Sequence, residues 1–115
     1  MIRRSKDMKE VVLENLRGGD GAVSMLRLLE KEDMREKMSL CAISTIPPGA
    51  GIGEHDHTSD SEIYYVLEGE VQVTDEGEEY TLYAGDIMFT GDGESHQVWN
   101  ASEKDAKLFL VVMNI

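Results

Sequence analysis

The chain has 115 residues, the length of one domain with one closed core, and its 41% hydrophobic and 30% charged residues are ordinary for a globular protein. A formal charge of −12 argues against nucleic acid or an acidic membrane surface as a partner, because both are held by clustered Lys and Arg. One cysteine, Cys41, excludes an internal disulfide framework; no apolar run is long enough to cross a bilayer, and no apolar stretch follows Arg3, Arg4 and Lys6, so a cytoplasmic protein without a signal peptide is expected.

In chain order, residues 1–22 read as an N-terminal extension or edge segment. Within it Asp7–Leu16 is open between a helical turn and an extended strand, since Val11, Val12 and Leu13 favour the strand. After the turn Arg17-Gly18-Gly19-Asp20-Gly21 a strand is expected at Val23–Leu29. The charge-rich stretch Glu30–Lys37 reads as a loop or one helical turn. Strands then follow at Ser39–Ile46, Ile52–His57, Glu62–Leu67, Glu70–Thr74, Glu79–Leu82, Asp86–Thr90, Gln97–Asn100 and Lys107–Met113. The 11 glycines punctuate these short apolar runs, with Pro47-Pro48-Gly49, Asp75-Glu76-Gly77-Glu78 and Gly91-Asp92-Gly93 as further turns. That rhythm belongs to an all-β sandwich or barrel filling residues 1–115 as one domain, with its body at 39–113.

Two of the three histidines form His55-Asp56-His57. On a strand, residues i and i+2 share a face with Cα atoms about 6.5 Å apart, so both imidazoles can converge on one ion. Taken alone, such a pair is more often simply solvated. Glu62 follows a short polar turn that can fold a carboxylate back beside the pair, and His96 has to arrive from another strand.

These residues sit in a longer pattern. Gly49, five residues, His55-Asp56-His57, four residues, Glu62, six residues and Gly69 (49–69) resemble the first motif of the cupin superfamily. Gly85, five residues, Gly91-Asp92-Gly93, two residues, His96, three residues and Asn100 (85–100) resemble the second. Gly91 stands where the family usually has proline, which bears on loop rigidity and not on the ligands. The resemblance is to the small single-domain cupins, of the oxalate-decarboxylase-like or sugar-isomerase-like kind. It implies a double-stranded β-helix, or jelly-roll barrel, with one divalent ion held by His55, His57, Glu62 and His96 inside the mouth. Three imidazoles and a carboxylate suit Mn, Fe, Co, Ni or Zn, and are too rich in nitrogen for Ca or Mg.

Around that centre, Glu62, Tyr64 and Val66 share a strand face, which makes Tyr64 a candidate catalytic or substrate-binding donor; core packing is the competing reading. Arg27 follows Met25 at strand spacing and could clamp a substrate carboxylate; a solvated edge is its alternative. Met88 is a candidate pocket wall, as are Met113 and Phe109. Glu94, on the loop before His96, is a candidate general acid or base, against the reading of an ordinary acidic loop. Asn100 is expected to hold backbone near His96.

Two function classes follow: a metal-dependent enzyme on a small polar molecule (decarboxylase, dioxygenase or isomerase), or a non-catalytic metal-dependent binding or sensor module. A homodimer is expected, with Val11-Val12-Leu13 adding a strand to a neighbour's sheet.

Overall fold

Alternation of apolar and polar residues produces ten strands, β1 (Lys9–Glu14), β2 (Ala22–Arg27), β3 (Met38–Ile46), β4 (Gly51–Asp56), β5 (Asp60–Glu68), β6 (Glu70–Asp75), β7 (Glu78–Tyr83), β8 (Ile87–Thr90), β9 (Ser95–Trp99) and β10 (Ala106–Asn114). The computed structural model describes residues 1–114. The strands form two antiparallel sheets, one of six strands in the order β1-β2-β3-β10-β5-β8 and one of four in the order β4-β9-β6-β7. Their inner faces share one core that includes Val23, Met25, Ile46, Val66, Val71, Val73, Val98, Leu108 and Leu110. This is the jelly-roll architecture expected from the sequence.

All nine expected strands are present. The segment that the sequence leaves open, Asp7–Leu16, contains the tenth, β1, which pairs antiparallel with β2 of its own chain. Val11 and Leu13 pack on the core while Val12 stands outside. Glu30–Lys37 contains one helical turn, α1 (Lys31–Met34), fastened by a capping box between Glu30 and Asp33. The Arg3 guanidinium binds the Asp33 carboxylate and ties the N-terminal segment to α1. Among the described residues no helix is long and apolar enough to cross a membrane.

Two local devices set the mouth of the barrel. The Arg17–Gly19 turn lies backbone to backbone against Gly51–Gly53 of β4. A Cβ on Gly53 would stand 2.1 Å from the Arg17 carbonyl oxygen, and one on Gly19 would stand 2.3 Å from that of Gly51. Only glycine permits that approach, which brings Arg17 over the end of β4. The second device is Asn100, fully buried. Its Nδ2 donates to the carbonyls of Ile46 (2.8 Å) and Lys104 (2.7 Å), and its Oδ1 accepts from the amide and hydroxyl of Ser102 (2.9 and 2.7 Å). All four of its hydrogen-bonding positions are used, and they join the end of β3 to the loop before β10. The expectation that Asn100 holds backbone beside His96 is corrected accordingly.

Asn100→Ala takes the Asn100 donor from the buried Ile46 carbonyl and releases the loop before β10, so we expect a loss of about 2 kcal/mol and a melting temperature lower by roughly 8 °C, read by thermal denaturation. Gly53→Ala forces the Arg17 turn off β4 and should cost about 2 kcal/mol or more in the same assay.

Candidate metal centre

His55 and His96 face one another as a cross-strand pair between β4 and β9, and Glu62 reaches them from β5 in the other sheet. The strand parity that brings His55 inward depends on a bulge. From Ile52 to His55 is three steps on β4, opposite two steps from Val98 to His96 on β9. The extra residue lets Ile52 and His55, an odd number apart, both turn into the barrel while Glu54 stays outside. His57, expected inside the strand, lies just beyond β4. Its amide donates to the Glu94 carbonyl (3.0 Å) and its carbonyl accepts from the Gly93 amide (2.9 Å). The glycine-rich loop before β9 therefore holds His57 in place of a strand partner.

Each imidazole is oriented through its Nδ1: that of His55 against the Gly53 carbonyl (2.8 Å), that of His57 against the Asp60 carboxylate (2.5 Å), and that of His96 against the Thr90 hydroxyl (2.8 Å). A carbonyl and a carboxylate only accept, so Nδ1 of His55 and of His57 carries the hydrogen. When these rings are neutral, Nε2 presents a bare lone pair. All three Nε2 atoms point to one place. His96 Nε2 lies 3.0 Å from Nε2 of both His57 and His55, and Glu62 Oε1 lies 3.0 Å from His57 Nε2, 3.1 Å from His96 Nε2 and 3.7 Å from His55 Nε2.

Lone pairs and a carboxylate oxygen at that spacing repel unless a cation lies between them. Metal–nitrogen bonds of about 2.1 Å place neighbouring ligands about 3.0 Å apart on a six-coordinate ion and about 3.4 Å apart on a four-coordinate one. Four of the five separations match the former. The cluster His55, His57, Glu62 and His96 thus suits a single metal ion, and its four members are the ones expected from the sequence.

Electrostatics follow the same geometry. Burial pushes the His55 imidazole down, but the Glu62 carboxylate and the Gly53 carbonyl outweigh it and hold its pKa above the usual value. Burial dominates at His96, whose pKa is lowered despite Glu62. Burial also raises the Glu62 carboxyl, and His55 and His96 more than compensate, leaving it below the usual range. Tyr64 is fully buried and stacks on the His96 ring, with centroids 4.6 Å apart and planes 17° apart. Burial first, then the neighbouring Glu62, pushes its hydroxyl well above its ordinary pKa.

His55, His57 and Glu62 of the cluster form one side of a cavity of about 270 Å³, with apolar walls from Leu13, Leu16, Met25, Leu40, Ile52 and Leu110. Tyr64 and Arg27 line it too, as the strand spacing suggests, while Met88 lies in the core and away from its lining. Glu94 points elsewhere: its Oε1 accepts from the Gly91 amide (3.1 Å), and its own amide donates to the Gly91 carbonyl (2.9 Å). Proline at 91 would lack that amide, and even a Cβ there would meet the Ser61 hydroxyl at 2.6 Å. Glu94 and glycine together brace the loop.

Asp60, Thr90 and Arg17 escape the sequence reading. Asp60 and Thr90 read as ordinary turn and strand residues until the fold sets them behind His57 and His96. Arg17 lines the cavity and its charge is felt at His55, and the only trace of it in the sequence is the Gly18-Gly19 pair that follows.

Comparison with known proteins agrees with this construction. The family model for the cupin domain matches residues 42–113. An oxalate-binding protein of Thermotoga maritima is 44% identical over 70 residues, which cover 61% of this chain and 58% of that protein, so the match spans under two thirds of that relative. The crystal structure of a T. maritima protein described as a predicted oxalate decarboxylase superposes with a TM-score of 0.93 at 39% identity over 100% of both chains. A Thermus thermophilus structure gives a TM-score of 0.71 at 30% identity, over 80% of this chain and 83% of that one. With this fold, both sequence motifs and a domain match over more than half its length, the chain belongs to the cupin family.

Proposed function

We propose that the protein binds a small dicarboxylate, oxalate or an acid of its size, at one divalent transition-metal ion held by His55, His57, Glu62 and His96. The observation that carries this reading is the convergence of three Nε2 atoms and a Glu62 oxygen on one side of a cavity that Arg17 and Arg27 also line. When bound, the ion supplies a Lewis-acidic centre with positions left open to carboxylate oxygens, and Mn, Fe, Co, Ni and Zn all accept this ligand set. The rest is done by the chain's own residues. Arg17 and Arg27 offer guanidinium donors to the carboxylate remote from the centre. Tyr64 keeps its proton at neutral pH and serves as a donor on the cavity wall. The apolar walls exclude water from the ligand and strengthen these contacts. Glu94 positions His57 through the loop. The names of the two Thermotoga relatives support oxalate as the first ligand to test.

The test begins with protein stripped by chelator and reloaded with each ion in turn. Elemental analysis should find about one ion per chain, lost in His96→Ala and Glu62→Gln, and calorimetry should detect oxalate binding only to loaded protein. Arg27→Ala should weaken oxalate by roughly tenfold while leaving the metal content unchanged. Loaded protein without affinity for oxalate or similar dicarboxylates overturns the ligand assignment. Release of formate and carbon dioxide would make the protein a decarboxylase, and tight binding without turnover a binding module.

Metal affinity should also depend on pH. Imidazoles ligate in the neutral form, so protons compete with the ion as pH falls. Because the Glu62 carboxylate and the Gly53 carbonyl hold the His55 pKa above its usual value, that competition begins at a higher pH than for a free histidine. A competitive chelator titration should show affinity falling by about tenfold or more between pH 7.5 and 5.5. A flat profile would contradict the assigned ligands.

A further inference from the structure

A second cavity, of about 730 Å³, lies where the chain passes from β2 to β3. It is larger than the cavity at the metal centre, and none of the four clustered residues lines it. The two cavities share Arg27, Ser39 and Leu40, so the end of β2 and the start of β3 form a common wall. On its other side the outer cavity is closed by α1. Two residues in the left-handed conformation, Arg35 (φ 51°) and Glu36 (φ 62°), end that helix and lead the chain into β3. The connection is fastened at several points. Arg3 binds Asp33, the Asn114 side chain donates to the Glu36 carbonyl (3.0 Å), and the Asn114 amide donates to the Lys37 carbonyl (3.0 Å). Bonds from the N-terminal segment and from β10 thus fix α1 over the start of β3 and give the cavity its shape.

The lining divides by chemistry. Leu29, Met34, Met38, Leu40 and Cys41 are buried or half-buried and make an apolar surface, and Arg27, Lys31 and Arg35 stand exposed around it. The two methionines let that surface adapt to the shape of an apolar body. Three of the chain's 11 basic residues line this cavity, against three of its 23 acidic ones, so positive charge is concentrated here and negative charge is not. One of those acids, Glu30, is already used: its carboxylate accepts from the Asp33 amide in the capping box. Among the described residues, Arg27, Lys31 and Arg35 have no carboxylate within ion-pair distance. Three such cations beside an apolar hollow are unusual in a chain of charge −12, and they complement an anion.

We propose that the outer cavity is a second ligand site, for an amphipathic monocarboxylate with an alkyl or aryl body of about 8 to 12 carbons. The carboxylate is held by Lys31 and Arg35, with Arg27 at the shared wall, and the body lies on Leu29, Met34, Met38 and Leu40. A volume of about 730 Å³ is in the range of sites for molecules of that size. The chemistry selects against the other small ligands. A compact dicarboxylate gains nothing from the apolar surface, a cationic amphiphile meets three basic groups, and a fully apolar molecule leaves those groups without a partner. The site needs no metal, which separates it from the cavity on the other side of Arg27.

Decanoate is the probe, added to chelator-stripped protein so that the metal centre plays no part. Two kinds of reporter lie in the cavity itself: Cys41 is the chain's one thiol, and Met34 and Met38 are two of its seven methionines. With a dissociation constant on the order of 100 µM, decanoate at about 1 mM should slow alkylation of Cys41 by iodoacetamide about tenfold. In an NMR titration of isotope-labelled methionine methyls, Met34 and Met38 should shift, and Met88, in the core away from this cavity, should stay in place. Acetate (the head without the body) and decyltrimethylammonium (the body with the opposite charge) should produce neither effect. Lys31→Glu combined with Arg35→Glu, both at exposed positions, should weaken decanoate about tenfold while thermal unfolding stays unchanged. Unprotected Cys41 with unmoved Met34 and Met38 signals overturns the proposal. So do equal effects from decyltrimethylammonium, or decanoate binding that the double variant leaves intact. Failure of loaded protein to bind oxalate bears on the inner cavity alone.

Discussion

Three imidazole nitrogens and a carboxylate oxygen meet about 3 Å apart, and that convergence is the constraint around which this barrel is arranged. Each of the three Nδ1 atoms is occupied, by Gly53, Asp60 or Thr90, so every ring is turned the same way, with Nε2 inward. The partners lie on different strands: Gly53 at the bulge of β4, and Asp60 at the start of β5 and Thr90 at the end of β8 in the opposite sheet. The centre therefore joins both sheets, and its geometry records their relative position. Without a cation the arrangement is electrostatically costly; a bound ion would offset that cost and tie the two sheets together through the same four residues.

Backbone features that look incidental in the sequence serve that centre. The bulge after Ile52 corrects strand parity, so that a core residue and a ligand three positions apart both face inward. The glycines that let Arg17–Gly19 lie on β4 bring a guanidinium over the cavity that Arg27 enters from the end of β2. At the other side of the mouth, Gly91 exchanges the stiffness of proline for an amide that Glu94 can grip, and the braced loop in turn grips His57. A carboxylate that resembles an acid–base catalyst on paper is committed to holding backbone.

The six-stranded sheet has two unlike faces. Alternation along β5 sends Glu62 and Tyr64 to the centre and Ile63 and Tyr65 outward, so a strand that carries a member of the cluster also carries part of an apolar outer row.

Much of this was legible in the chain itself. The short apolar runs between glycines determined an all-β barrel, because period-two alternation and turn residues are local properties. The resemblance of residues 49–69 and 85–100 to the two cupin motifs pointed to His55, His57, Glu62 and His96, the four residues that the fold brings together. The N-terminal strand stayed open because Val11-Val12-Leu13 lacks a clear alternation, and only pairing with β2 decides it. Asp60, Thr90 and Arg17 could not be read, since a side chain that orients a ligand is defined by proximity across 3 residues in one case and 6 in another, and by a turn docking on β4 in the third. The tertiary structure also decided the apolar outer face: residues 26, 43, 109, 65 and 87 become one row only when five strands lie side by side, and register between distant segments is a property of the assembled sheet.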